Sequence, residues 1–407
     1  MTSPGKAAAW ILHWRPEERK TIYLCALLLG ACGFVLAAYL TTMWSSYRDH
    51  VAAGSPPPFG DFLAIWSYGK IASLHPATEL YDFVTLHARQ VALGMVPKAE
   101  NPFPYPPTFI LVLWPLSLVP YPVAWLVWTG GTFALFLWAV AATCSRSMVC
   151  LLAAAIAPVS MIALDSGQSG FLAAALIIGG IRLAPSRPIV AGILIGLLSY
   201  KPQLGFLVPI ALGCAGLWGA FGVACVTVVV LAAIATVAFG GAVWPAWLTM
   251  LPAYAKMFDR SKVQLQFMPT VTANLRLLGI SLQTSQVVQV IVSVLVVVVV
   301  ARCFRRDSGR LSAAALLVGT FLATPHAFVY DMPMVFAALL LFIEDRMTTT
   351  CTFHLHEMLI LVWMMMFPIL MVAEGVDFPL SVLPLALFFG LIVWGQGRDR
   401  FAVHENL

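Results

Sequence analysis

Hydrophobic and polar positions fall in long blocks along this chain, not in short alternation. Thr21 to Trp44 is apolar and long enough to cross a bilayer, and a polar-rich stretch, Ser45 to Pro107, follows it. Apolar segments then recur at about 108–119, 121–144, 149–164, 170–182, 188–200, 203–217, 219–240, 281–301, 311–324, 332–343, 354–373 and 378–396. Several fall short of the roughly 20 residues that a full crossing needs. The pattern therefore predicts half-helices, or helices lengthened by flanking polar residues. The expected fold is an all-α polytopic membrane protein of about ten to thirteen transmembrane helices, with residues 1–407 forming one domain.

Within the first polar stretch, Pro56 to Pro58 forbid a helix before Phe59, since proline lacks a donor and holds its predecessor extended. Asp61 then stands where a helix would begin, and an acid there suits the free N–H groups and the dipole. The spacing predicts a surface helix over 59–74, with Phe62, Ile65, Trp66 and Gly69 on one face dipped into lipid. A second surface helix is expected over 80–93. Asn101 to Pro107, with four prolines, reads as a stiff extended entry into the next apolar block.

Composition agrees with the pattern. Of 407 residues 61% are hydrophobic and 10% charged, and the mean hydropathy is +0.90, more apolar surface than a soluble fold of this size hides. The eight cysteines show no CxxC spacing and no His/Cys cluster, which argues against disulfides and structural zinc. Basic residues cluster beside helix ends at Arg15/Arg19/Lys20, Arg146, Arg182/Arg187, Arg302/Arg305/Arg306/Arg310, Arg346 and Arg398/Arg400. Placing them in the cytoplasm gives cytoplasmic termini (1–20 and 397–407) and puts the 45–107 and 241–280 loops outside. That scheme needs an odd number of crossings between Pro107 and Arg146, where two apolar segments are visible. The 241–280 loop interleaves aromatic and basic residues, a pattern that fits sugar stacking or a plain interfacial belt.

On the outer side this topology gathers Asp61, Asp165, Gln168, Lys201, Gln203, Arg276, His326 and Asp331. Ionisable groups at a bilayer rim are costly unless used. Each also has a plainer role: Asp61, Asp165 and Asp331 as helix caps, Lys201 snorkelling, Gln168 satisfying loose carbonyls, His326 in a solvated loop. The P-loop, GxGxxG, DxD, HExxH and GxSxG patterns are all missing. This removes the usual nucleotide, nucleotide-sugar, metalloprotease and serine-hydrolase routes and leaves no call for nucleic acid, metal or cofactor.

The order Gly60-Asp61-Phe62…Trp66, Tyr105-Pro106-Pro107, Gly167-Gln168 and Lys201-Pro202-Gln203 resembles glycosyltransferase family 87, membrane enzymes of the GT-C class. The resemblance runs from about Asp61 to Asp331; Ser169-Gly170 after Gln168 departs from many relatives. It implies a GT-C bundle with short helices in the first outer loop and a polyprenyl-phosphate sugar as donor, mannose in part of the family. It also implies Asp61 as catalytic base. A phosphate leaving group needs no general acid, so one base suffices, with cations or N–H donors for the phosphate. Lys201, Gln203, Arg276, His326 and Gln168 are the expected donor-binding residues, and Trp66 and Tyr68 the expected acceptor contacts. The acceptor is expected to be a glycolipid or glycan, and the site to face outward from a bacterial inner membrane. A flippase for lipid-linked sugars and a non-catalytic assembly subunit remain open alternatives, as does a donor carrying glucose, galactose or a pentose.

Overall fold

The computed structural model describes residues 60–95, 101–349, 353–372 and 379–404, with isolated positions between 30 and 49. Most of the Thr21–Trp44 span and the whole triple proline therefore lie outside the described residues. The protein is an all-α polytopic membrane protein. Among the described residues four helices are long and apolar enough to cross a membrane: Tyr121–Thr143, Trp218–Phe239, Leu282–Arg306 and Leu355–Val372. A fifth crossing is available if Ser147–Ile156 and Pro158–Ser166, bent by 55° where Pro158 interrupts the run, act as one. The other apolar blocks form shorter helices such as Gly170–Leu183, Pro188–Tyr200, Pro202–Cys214, Arg310–Ala323 and Val382–Gln396.

Burial sorts these helices. Arg310–Ala323 is buried along nearly its whole length, as is most of Pro333–Thr349, and these two pack together at the centre. Both are apolar on all sides, as a helix surrounded by other helices must be. The long helices lie at the periphery and present valines outward: Val226, Val229 and Val237 on one, Val290, Val294 and Val298 on another. Val237 is 89% exposed. So much outward apolar surface is stable only against lipid tails.

The Pro107–Leu116 helical run, ten residues by its bounds, is about half the length of a crossing. One full crossing, Tyr121–Thr143, then separates Pro107 from Arg146. A single crossing there is one of the two arrangements that the placement of basic residues allows, the other putting Arg146 outside.

The first loop differs from the expected surface layer. Its helix spans Phe62–Leu74, and Phe62, Ile65, Tyr68 and Ile71 are buried in protein. Phe62 stacks on Tyr121 at 5.6 Å, and Trp66 meets the same ring edge-on at 5.7 Å while donating to the Val119 carbonyl at 3.4 Å. The apolar face thus belongs to the protein core and not to lipid, because the Ile110–Leu116 helix packs along it, with Gly69 close against the Leu113 carbonyl, and Tyr121 covers its start. The second helix, Phe83–Ala92, starts at Asp82, whose side chain accepts from the Thr85 N–H at 2.7 Å.

At the basic end of the bundle, charges are paired. Arg346 donates to Glu357 at 2.7 Å, with both buried, and Glu344 takes Arg310 at 3.7 Å and the Arg146 N–H at 3.2 Å. At the other end lies a cavity.

Candidate active site

The Asn101–Pro107 segment forms one wall. Its prolines remove backbone donors, so it joins no ladder, and side chains from three directions hold its carbonyls. Tyr68 donates to Pro102 at 2.9 Å, Gln90 to Asn101 at 3.1 Å, Tyr81 to Tyr105 at 3.2 Å and Trp247 to Pro104 at 3.0 Å. Trp247 sits on Val243–Arg260, the amphipathic helix of the second loop, which therefore closes over the first loop. Behind the segment Tyr105 packs on Phe109 (4.7 Å), and Phe109 stacks on Tyr200 (4.5 Å).

Two close backbone approaches bring the distant pieces together. Gly60, at φ +53°, lies so near the Asp165 carbonyl that a Cβ would stand 2.0 Å from it, and the Asp61 N–H donates to the Ser166 carbonyl at 2.8 Å. Gly170 lies equally close to the Tyr330 carbonyl, where a Cβ would stand 1.9 Å away. The chain segments around residues 60, 105, 166, 200 and 330 therefore meet at one end of the bundle.

They enclose a cavity of about 480 Å³, lined by Asp61, Asp165, Gln168 and the rings of Tyr68, Tyr105, Tyr254, Phe267, Phe328 and Tyr330. Asp61 precedes the first-loop helix, yet its side chain makes no capping bond. It accepts instead from the Gln168 amide, Nε2 to Oδ2, at 3.2 Å. Tyr105 donates to the other end of that amide, Oε1, at 3.2 Å. This fixes the amide with its N–H groups toward Asp61. The Gln168 loop is held in turn by Trp128, which donates to Gly167 at 3.1 Å, and by Tyr200, which donates to Ser169 at 3.0 Å.

Asp61 opens into the cavity, but protein surrounds the cavity on most sides. Desolvation therefore raises its pKa above the ordinary carboxylate value; the Gln168 bond opposes the rise and the negative charge of Asp165 adds to it. No cation pairs with Asp61 among the described residues. Such a carboxylate has a proton affinity above that of a solvated acid and an open side toward which a hydroxyl can approach.

The other expected site residues lie around this centre at different depths. Lys201 is buried and bonded to Asp331 at 2.6 Å, with both side chains 3% exposed. It lies 5.2 Å from the centre of the Tyr330 ring, which lines the cavity while Lys201 does not, so its charge stands behind the wall. Asp331, expected to cap a helix, is the buried partner of that lysine. Tyr68 lines the cavity; Trp66 packs on Tyr121 outside it. Gln203 is half-buried and not part of the lining. Arg276 donates to the Ile280 carbonyl at 2.7 Å, closing the end of its own helix. His326 packs near Tyr254 at 6.4 Å, and burial lowers its pKa, which favours the neutral imidazole. Among the described residues no group of three His, Cys, Asp or Glu side chains is placed to hold a metal ion. Of the aromatic lining, the sequence marks Tyr68 as an expected acceptor contact, Tyr105 beside its two prolines, and Tyr254 within the aromatic and basic loop; Phe267, Phe328 and Tyr330 carry no such signal.

Comparison with known proteins places this geometry in context. Residues 103–325, more than half of the chain, match the sequence profile of Glycosyltransferase family 87. No curated protein and no solved structure matches the chain significantly.

Proposed function

The chain belongs to glycosyltransferase family 87 and is a membrane glycosyltransferase, and from that premise we propose that Asp61 is the general base of an inverting transfer from a polyprenyl-phosphate sugar. The observation that carries this reading is the Tyr105–Gln168–Asp61 chain of hydrogen bonds, which aims an open carboxylate into an aromatic cavity. A hexose would rest against the tyrosine and phenylalanine rings, with its anomeric carbon between Asp61 and the departing phosphate. The acceptor hydroxyl loses its proton to Asp61 as its oxygen bonds to the anomeric carbon and the sugar–phosphate bond breaks. The phosphate leaves with the electron pair and needs no proton, which accounts for a site built on one base.

Mannose on a polyprenyl phosphate is the proposed donor, and a glycolipid or glycan of the cell envelope the proposed acceptor. The site faces away from the cytoplasm, in keeping with the paired arginines at the opposite end. Lys201 acts on the donor phosphate only through Tyr330 and the local field, since Asp331 already takes its direct contact. Purified protein in liposomes, given β-linked polyprenyl-phosphate mannose, should release the free carrier phosphate and form an α-mannoside. Formation of a β-mannoside would reject the single displacement, and absence of carrier release with every acceptor supplied would reject the donor class.

A further inference from the structure

A second cavity, of about 760 Å³, adjoins the first and shares Asn101, Pro102 and Gln264 with it. It lies between the two amphipathic loop helices, Phe83–Ala92 and Val243–Arg260, with Phe83, Leu86 and Met257 as apolar walls and Lys256 exposed at the rim. Three buried polar atoms of its lining, His87 Nδ1, Gln90 Oε1 and Gln264 Oε1, have no hydrogen-bond partner among the described residues. The two amide oxygens can only accept, and the imidazole nitrogen accepts or donates by tautomer; a buried polar atom left unpaired is costly, so the three point to a ligand that carries hydroxyls, which do both. Gln90 narrows the chemistry. Only 1% exposed, it has its amide orientation fixed because Nε2 donates to the Asn101 carbonyl, so Oε1 is the atom left over. A carbonyl oxygen repels phosphate and accepts from hydroxyl.

We propose that this cavity binds the sugar headgroup of the acceptor, holding ring hydroxyls on Gln90, Gln264 and His87 and delivering one of them past Asn101 to Asp61. The assignment of the headgroup as acceptor rests on the transferase reading above; the binding of a polyol does not. Apolar walls take the C–H faces of the ring, and the two amide oxygens and the imidazole nitrogen take its hydroxyls.

The test uses the Ala253→Cys variant in lipid nanodiscs, because Ala253 lines this cavity and is exposed. Reaction of that thiol with a maleimide is read by mass spectrometry on its own peptide. Octyl α-mannoside should slow the reaction, while octanol and octyl phosphate at equal concentration should not. Adding Gln264→Leu, or separately His87→Phe, should raise the half-protecting concentration of the mannoside roughly tenfold, the cost of one buried unmet hydrogen bond. Equal protection by octanol would make the cavity a lipid groove, and stronger protection by octyl phosphate would make it an anion site. Either result, or no protection, overturns the proposal. The readout needs no turnover. Wild-type protein that transfers no sugar would remove the transferase reading and leave protection standing, whereas an active enzyme without protection would remove the subsite alone.

Discussion

Asp61 and Asp331 are two carboxylates on neighbouring walls of one end of the bundle, and they are built for opposite tasks. Asp331 is sealed in with Lys201 at 2.6 Å and receives the Phe328 N–H at 3.5 Å through its other oxygen. Asp61 faces a cavity and has a neutral amide as its partner. A buried carboxylate matched to a cation and closed off from the cavity is a strut, because no substrate reaches it. An open carboxylate with a neutral donor on one oxygen keeps the other free for chemistry. The difference separates an acid closed into the architecture from one open to a substrate, and under the proposed mechanism it gives opposite predictions for neutralising the two positions.

The largest expected effect is on rate. Asp61→Asn keeps the shape and removes the base, and losing a general base costs about 10²–10⁴-fold. The fold should survive. A folded-state pKa raised above the unfolded value near 3.9 favours folding below that value and loses this contribution as pH rises through the folded pKa. Above that window ionised Asp61 opposes folding, so neutralising it does not destabilise. Transfer at near the wild-type rate by folded Asp61→Asn would erase the distinction between the two acids.

The next effect is on stability. Lys201→Ala strands Asp331 without its partner, a loss of about 3–5 kcal/mol for a broken buried pair. The paired substitution Lys201→Met with Asp331→Leu removes both charges and should recover most of that loss in thermal unfolding. If Lys201→Ala leaves thermal stability unchanged while donor KM rises, Lys201 is a phosphate ligand and not half of a strut.

Smaller shifts concern pH. If Asp61 is the base, as proposed, activity requires its ionised form, and the acid limb of kcat/KM should lie above the ordinary aspartate value. Asp165→Asn removes a like charge and should move that limb down. Gln168→Leu removes the bond that favours the anion and should move it up. Movement of both variants in one direction would detach the limb from Asp61.

How much of this the sequence displayed depends on the kind of contact. The convergence of Asp61 with Gln168 was legible, because charge placement fixes which helix ends share a side and both residues stand at such ends. The sequence left two ways to count the crossings between Pro107 and Arg146, because length and hydropathy alone do not say whether a ten-residue run such as Pro107–Leu116 spans. The Lys201–Asp331 pair was not legible. Its members lie 130 residues apart, and neither periodicity nor motif marks which buried cation meets which acid. Trp66 misled for a related reason. A helical stripe of aromatics looks the same whether lipid or Tyr121 covers it, and only the packing of the next helix decides. The second cavity escaped as well, since unmet acceptors such as Gln90 Oε1 exist only once three dimensions are known.

The most direct test of Asp61 as base replaces the nucleophile and not the protein alone. Azide is already anionic and attacks without surrendering a proton, so it has no need of a base. Asp61→Asn, supplied with the donor and azide, should regain carrier release and form the glycosyl azide with inverted configuration, while Asp331→Asn made in the Lys201→Met background should show no selective gain from azide over the ordinary acceptor. Failure of azide to restore turnover to folded, donor-binding Asp61→Asn would contradict the account.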